Sequence, residues 1–407
     1  MSATVWTKLL GAIHASPHRA VVAVTGGGSK AISQLLEVPG ASQTVLEAVV
    51  PYSSAALASW LGGVPDQSCS EPTARAMAMA AWIRARELIR ARELMRDGEL
   101  MRARELSTPA SPPPLVGLAA TASLASASPK RGEHRIHVAA QTEGSTVSAT
   151  LVLTKDQRDR KKEEWLAAKL ILVMLGQACA IPTTAAEHAL REQLTVDEPI
   201  QHNRQEAEPA WSELLLGQRK VASLPSTNAP PPQVIFSGSF NPPHLGHQRI
   251  AQVAAELTGQ LVAYELSITN VDKLPLDYVE MQRRFGLLQA LDRQSVLLLT
   301  DAPTFCAKSE LFPGCTFVVG VDTMLRIADP RYYQAPARED SPASYEAAVE
   351  LLAGRACRFL VFGRLMNNRF QVLSDLAIPA KLRELCDEVP AEQFREDISS
   401  SAVRQRS

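Results

Sequence analysis

Short apolar runs and amphipathic stretches alternate along most of this 407-residue chain. Arg19 to Val24 (RAVVAV) is an apolar β-branched run that breaks at Thr25-Gly26-Gly27-Gly28-Ser29 and passes into a helical pattern from Lys30 to Leu36. That order predicts a strand, a glycine turn and a helix. A further strand is expected from Thr44 to Tyr52 and a short helix from Ser53 to Leu61. Ser70 suits the N-cap of the long helix that follows, with Glu71 and Pro72 in its first turn, where a missing N–H costs nothing. Leu115 to Thr121, Ile136 to Gln141 and Val147 to Leu153 read as three more strands, the last two joined at the Glu143-Gly144 turn. A charge-rich helix from Asp156 to Ala178 closes this half. Its most apolar stretch, Trp165 to Ile181, carries Lys169 and Gln177 and falls short of about 18 clean apolar residues, so it reads as a buried helix.

The pattern resumes at Val234. Strands are expected at Val234 to Ser237, Leu261 to Leu266, Ser295 to Thr300, Thr316 to Gly320 and Arg358 to Phe362. Helices are expected at Leu245 to Leu257, Val279 to Leu291, Thr323 to Ala328, Ser344 to Ala353 and Ser399 to Gln405. Such alternation implies an α/β fold built on a parallel sheet with helices on both faces, and ligands then bind at the carboxyl ends of the strands.

Between these halves, Glu198 to Gln233 has little periodicity and ends in a Pro run, the composition of a semi-rigid linker. Two α/β domains are therefore expected, residues 1–197 and 234–407, joined by a linker over 198–233. Inside the long helix of the first lies a six-residue repeat, RARELI, RARELM, RDGELM, RAREL, over residues 84–106. Six residues advance a helix by about 600°, so Leu88, Leu94, Leu100 and Leu106 wind round the axis, and a solvated extension supported by Glu/Arg neighbours is favoured over a partner-binding helix.

Charge removes one class of function. Lys plus Arg is 42 against 43 Asp plus Glu, and residues 233–407 alone hold 3 Lys and 15 Arg against 10 Asp and 11 Glu. Neither half has the basic footprint of a nucleic-acid binder. The six cysteines, Cys69, Cys179, Cys306, Cys315, Cys357 and Cys386, form no CxxC pair and no zinc-finger spacing, so no metal site is expected and buried reduced thiols are. Without a signal-like N-terminal h-region or a membrane span, a soluble cytoplasmic protein is expected, and the sequence leaves a homo-oligomer open.

Chemistry concentrates at the end of the Val234 to Ser237 strand, in Gly238-Ser239-Phe240-Asn241-Pro242-Pro243-His244-Leu245-Gly246-His247. Gly238 lets backbone approach a ligand, the two prolines stiffen the turn, and the helix that follows offers unpaired N–H groups and its positive dipole end. His244 and His247, three apart, lie on one face of the first helical turn and can converge on one phosphoryl group. The ten residues GSFNPPHLGH resemble the signature of the nucleotidyltransferase superfamily that includes nicotinamide mononucleotide adenylyltransferases, phosphopantetheine adenylyltransferases and CTP-dependent cytidylyltransferases. Ile398-Ser399-Ser400-Ser401-Ala402-Val403-Arg404 resembles that superfamily's second signature, ISSTxxR, and stands in the right order.

The resemblance implies a Rossmann-like domain that joins ATP, carried with Mg²⁺, to nicotinamide mononucleotide and releases pyrophosphate. It implies that His244 and His247 hold the α- and β-phosphate oxygens and that Gly238, Ser239 and Phe240 touch both nucleotides through backbone. Ser399, Ser400 and Ser401 with Arg404 would clamp the β- and γ-phosphates. Gly320-Val321-Asp322 resembles the family's GxD segment, whose carboxylate reaches a ribose hydroxyl, and FLVFGR resembles a later strand that brings Arg364 to the acceptor side. Lys273 falls where the family has a loop lysine that contacts phosphate. The pyridine-stacking Trp of that subfamily is missing, since Trp6, Trp60, Trp82, Trp165 and Trp211 all precede the domain, and Tyr333 is the substitute expected. Another phosphorylated acceptor, CTP in place of ATP, or a non-catalytic nucleotide sensor are the alternatives.

The first half resembles the C-terminal domain of the competence-damage-inducible protein CinA, in VTGG (24–27), VPGAS (38–42), VVPYS (49–53) and LGGVP (61–65). In bacteria that domain is a nicotinamide mononucleotide deamidase whose TGG follows Glu-Ser-Cys, with the Ser as the proposed catalytic group. Here Val22, Ala23 and Val24 stand at those positions, and Ala119 to Ser128 (AATASLASAS) replaces a later Gly-rich loop. Alanine can neither attack a carbonyl nor carry a proton, so the resemblance implies a folded domain without that hydrolytic chemistry unless Thr25 or Ser29 substitutes.

Overall fold

A computed structural model describes residues 2–103, 112–126, 131–224, 232–269, 274–294, 296–333, 344–366 and 369–395, without the side chains of 2–3, 94–103 and 332–333. The chain divides into two compact units, Met1–Glu208 with Asp272–Val279, and Pro209–Val271 with Glu280–Ser407.

The first unit opens with α1 (Ser2–Ala15), β1 (Arg19–Thr25), α2 (Ser29–Glu37), α3 (Ala41–Thr44), β2 (Val45–Val49), α4 (Ser54–Leu61) and α5 (Glu71–Ala103). It continues with β3 (Leu115–Ser123), β4 (His134–Gln141), β5 (Ser145–Leu153), α6 (Arg160–Ala178), α7 (Thr184–Arg191) and β6 (Ile200–Glu206). The sheet runs β2-β1-β3-β4-β5-β6, parallel across β2, β1 and β3 and antiparallel beyond. Its two faces are covered by different helices. Ile171, Leu172 and Leu175 of α6 pack with Val22, Leu118 and Val138 on one side. Met77 and Ala78 of α5 pack with Ala23, Ala119 and Ala139 on the other. Helix α5 lies so close that a Cβ on Gly117 of β3 would come within 2.1 Å of the Ala78 carbonyl oxygen, which only glycine avoids. Ser70 and Asp159 cap α5 and α6 by accepting from the Thr73 and Lys162 amides.

The span expected as a linker, 198–233, is mostly structured where it is described. β6 adds an edge strand to the first sheet, and α8 (Pro209–Leu215) and β7 (Val221–Leu224) belong to the second unit. Ile200–Glu206 (IQHNRQE) escapes a periodicity reading because an edge strand exposed on both faces needs ladder bonds and no apolar alternation.

The second unit then runs β8 (Val234–Ser237), α9 (Leu245–Thr258), β9 (Val262–Ser267), α10 (Tyr278–Leu291, whose first two residues belong to the first unit), β10 (Val296–Thr300), α11 (Phe305–Leu311), β11 (Thr316–Gly320) and α12 (Val321–Ile327). After a short 3-10 turn, Pro330–Tyr333, come α13 (Tyr345–Gly354), β12 (Arg358–Phe362), a hairpin of β13 (Arg364–Met366) and β14 (Arg369–Gln371), α14 (Ala380–Arg383) and β15 (Cys386–Val389). Its sheet has the order β15-β12-β11-β8-β9-β10-β7, with every pair parallel except the edge pair β10–β7. This is the parallel α/β sheet expected from the alternation of elements. Buried within it, Glu265 of β9 accepts from Lys308 Nζ at 2.7 and 2.8 Å and from Thr300 Oγ1 at 2.6 Å. A charge pair so enclosed holds its geometry by mutual need, because either partner alone would be an unsatisfied buried ion.

Cys179, Cys306, Cys315 and Cys357 are buried thiols, while Cys69 and Cys386 are half-buried. Among the described residues no helix is long and apolar enough to cross a membrane.

Candidate active site

Strand β8 ends at Ser237, and its neighbour β9 carries the loop that follows, since the Gly238 amide donates to the Glu265 carbonyl at 3.0 Å. A Cβ on Gly238 would stand 2.7 Å from the Phe240 ring. The loop can therefore fold back over this ring only with glycine there. Phe240 itself is buried, in edge contact with Phe236, Tyr264 and His247 at ring separations of 5.3, 5.3 and 5.2 Å.

The loop delivers His244 to the N-cap of α9 and His247 to its first turn. Their rings stack with centroids 3.8 Å apart. A Cβ on Gly246 would meet the His244 ring at 3.0 Å, which explains the residue between them. The His244 amide donates to His247 Nδ1 at 3.1 Å, so the neutral His247 ring carries its proton on Nε2. Burial, the adjacent His244 and the Arg364 charge together push His247 down to about 3. Burial and Arg364 also lower His244. Two stacked imidazoles beside a guanidinium thus stay neutral, each with an N–H to offer an anionic oxygen.

The arginine comes from a distant part of the chain. Parallel pairing of β11 with β12 sets Gly320 opposite Phe362, and just beyond these ends Arg364 Nη1 donates to Asp322 Oδ2 at 2.6 Å. Both side chains remain partly exposed. Gly320 is the N-cap of α12, and a Cβ there would come within 2.7 Å of Asp322 Oδ1. Ser237 Oγ, Ser267 Oγ and His244 Nδ1 are buried in this region without hydrogen-bond partners. Buried polar atoms are rarely left so, and these three lie close to the ends of β8 and β9 and the start of α9.

Of the residues singled out from sequence, the structure brings Gly238, Phe240, His244, His247, Gly320, Asp322 and Arg364 to the carboxyl ends of β8, β11 and β12. Ser239 is there through its carbonyl, which accepts from Arg284 Nη1 at 2.8 Å. Tyr333 closes the 3-10 turn, but its side chain lies outside the described residues. Lys273, Ser399, Ser400, Ser401 and Arg404 lie outside them altogether.

Three residues of α10 that motif reading missed fix the loop from beneath. Arg284 holds Ser239, Arg283 donates to the Asn241 side chain, and Glu280 binds both arginines. Burial alone would raise Glu280, yet the bonds and charges of Arg283 and Arg284 outweigh it and hold the carboxyl at about 2. The i,i+3 and i,i+4 spacing of one Glu with two Arg was the visible signal, and it reads equally as a solvated helix face.

No group of three metal-ligating side chains occurs among the described residues.

The strand–glycine–helix element of the first unit is differently occupied. At the turn after β1, the Glu164 carboxylate accepts from the Gly28 amide at 2.9 Å, the Lys30 amide at 3.3 Å and Ser29 Oγ at 3.0 Å. Thr25 Oγ1 donates to the Pro51 carbonyl at 3.0 Å. Ala23, where the resemblance places a catalytic serine, is fully buried against Leu57, Met77 and Ala119.

Residues 235–406 match the cytidylyltransferase-like family model. No curated protein matches the chain. Two solved structures are similar to it. A competence or damage-inducible protein from Enterobacter asburiae is 17% identical, covers 43% of this chain and 94% of its own, with a TM-score of 0.28. The competence/damage inducible protein CihA from Agrobacterium tumefaciens is 18% identical, covers 46% of this chain and 96% of its own, also at 0.28. The C-terminal part of the chain is thus nucleotidyltransferase-like.

Proposed function

We propose, from the cytidylyltransferase-like character of residues 235–406, that the second unit is an adenylyltransferase joining ATP to nicotinamide mononucleotide, giving NAD and pyrophosphate. The observation that carries the reading is the stacked, neutral His244–His247 pair beside the Arg364–Asp322 ion pair at the strand ends. In-line transfer of this kind needs positioning and charge stabilisation more than covalent help. The 5′-phosphate oxygen of the mononucleotide forms a bond to the α-phosphorus as the bond from that phosphorus to the bridging oxygen breaks, and the electron pair leaves with pyrophosphate. His247, donating through Nε2, and His244 supply N–H groups to the phosphate oxygens as charge develops. Arg364 adds a fixed positive charge, and Asp322 orients it while offering an acceptor to a ribose hydroxyl. Gly238 and Phe240 shape the loop against which both nucleotides lie.

In the same reading the first unit keeps its fold and has lost hydrolytic chemistry. The buried Ala23 and the Glu164-filled turn support this.

The test is pyrophosphate release by the full chain with Mg²⁺, using ATP or CTP against nicotinamide mononucleotide, nicotinic acid mononucleotide, phosphopantetheine and phosphocholine. Turnover with ATP and a pyridine mononucleotide is expected. Turnover only with CTP, or only with another acceptor, overturns the assignment of substrate. No turnover with measurable ATP binding overturns catalysis in favour of a sensor.

A further inference from the structure

Between β9 and α10 the chain leaves the second unit and returns to it, since Asp272–Val279 belongs to the first unit and Glu280 resumes the second. Within the first unit this segment is tied at several points. The Asp277 carboxylate accepts from Arg75 Nη1 of α5 at 2.8 and 3.1 Å, an ion pair with both side chains buried. The Tyr278 amide donates to Thr146 Oγ1 of β5 at 3.1 Å, and its hydroxyl donates to the Glu143 carbonyl at 2.6 Å. Leu274 packs against the cluster of Leu57, Leu61 and Met77. An enclosed ion pair resists opening, because either partner alone would be a stranded charge.

The same segment starts α10. Asp277 directly precedes the helix, and Glu280 stands three residues on, about 4.5 Å further along the axis. Glu280 accepts from Arg283 Nη2 at 2.6 Å and from Arg284 Nε at 2.8 Å. Arg284 in turn reaches the Ser239 carbonyl at 2.8 Å, and Arg283 the Asn241 side chain. Each network lies within its own unit, and the backbone of α10 joins them. One turn of hydrogen-bonded helix is stiff, so a shift at Asp277 carries Glu280 and its two arginines, and through them the loop over residues 238–247. In-line transfer is sensitive to such shifts, and a misplacement of about 1 Å can cost roughly a hundredfold in rate. We propose that the first unit holds the 238–247 loop in place through α10, with Asp277 as a positioning residue for the reaction of the second unit. The hold on the loop stands whatever that reaction is, while its effect on turnover rests on the adenylyl transfer proposed above.

Hydrogen–deuterium exchange on the full chain tests the hold, and turnover tests its consequence. Arg75→Ala combined with Asp277→Ala removes both charges together, so no buried ion is stranded. In this double variant the amides of residues 238–247 are expected to exchange at least fivefold faster, while β11 and β12 keep the protection of the parent. Tyr278→Phe keeps the ring and removes only the bond to the Glu143 carbonyl, and it should give a smaller increase at the same loop. With ATP and nicotinamide mononucleotide, kcat of the double variant should fall at least tenfold, with KM for ATP within twofold of the parent. Unchanged exchange at 238–247 in both variants overturns the proposal, and so does faster exchange throughout the second unit, which is a loss of stability alone. A loop that exchanges faster with kcat unchanged overturns the positioning role of Asp277. A parent chain without turnover overturns the proposed reaction, and the exchange result then still decides whether the first unit holds the loop.

Discussion

The chain contains two strand–glycine–helix turns, and they have opposite fates. After β1, the amides and hydroxyl of the turn are consumed by Glu164. After β8, the turn leads into stacked histidines, with Ser237 Oγ and His244 Nδ1 buried and unpartnered. A helix N-terminus is an anion site in both cases, because its first N–H groups point outward and its dipole is positive there. What separates the two is whether the protein supplies the anion itself. The first turn is closed by its own carboxylate, and the second, in the proposed function, receives a substrate's phosphate.

The largest effect is expected in the frame beneath the open turn. Lys308→Met should destabilise the second unit by about 3–5 kcal/mol, since it strands the fully buried Glu265 whose backbone carbonyl holds Gly238. Denaturant titration checks it, and a loss under about 1 kcal/mol would show that water or a proton readily replaces Lys308.

Next comes acid. His247 has its pKa lowered to about 3 from an unfolded value near 6.5, so between those values the unfolded chain binds the proton and the folded one does not. His247 therefore makes stability fall as pH drops from about 6.5 toward 3. His247→Ala should flatten that slope for the second unit, and parallel slopes in both proteins would place the titrating group elsewhere.

The smallest effect is expected at the closed turn. Glu164→Ala removes an N-terminal anion from α2 and should cost about 1 kcal/mol, in line with other lost caps. Denaturant titration of the first unit reads this, and an unchanged midpoint would mean that solvent serves the turn as well as Glu164 does.

Much of the open site was legible because its chemistry is local. His244, Gly246 and His247 are one helical turn, and the apolar runs of β8, β11 and β12 announce the strands that end at the site. Contacts made across the chain were not legible. The Asp322–Arg364 pair spans 42 residues and exists because β11 and β12 are parallel neighbours, and the bond from Arg284 to the Ser239 carbonyl spans 45. The polar edge strand β6 escaped for a related reason, since its information lies in backbone pairing to β5 and its side chains carry little of it. At the closed turn, Thr25-Gly26-Gly27-Gly28-Ser29 reads from sequence only as a glycine turn, and the folded chain brings Glu164 onto it from 136 residues away.

The most direct test of the contrast is pyrophosphate release from ATP and nicotinamide mononucleotide by the full chain carrying either His247→Ala or Glu164→Ala. The first variant should lose a hundredfold or more in turnover, the scale of removing one well-placed electrostatic donor, and the second should match the parent protein. Turnover that survives His247→Ala, or that disappears with Glu164→Ala, would contradict the assignment of an open catalytic turn to the second unit and a closed one to the first.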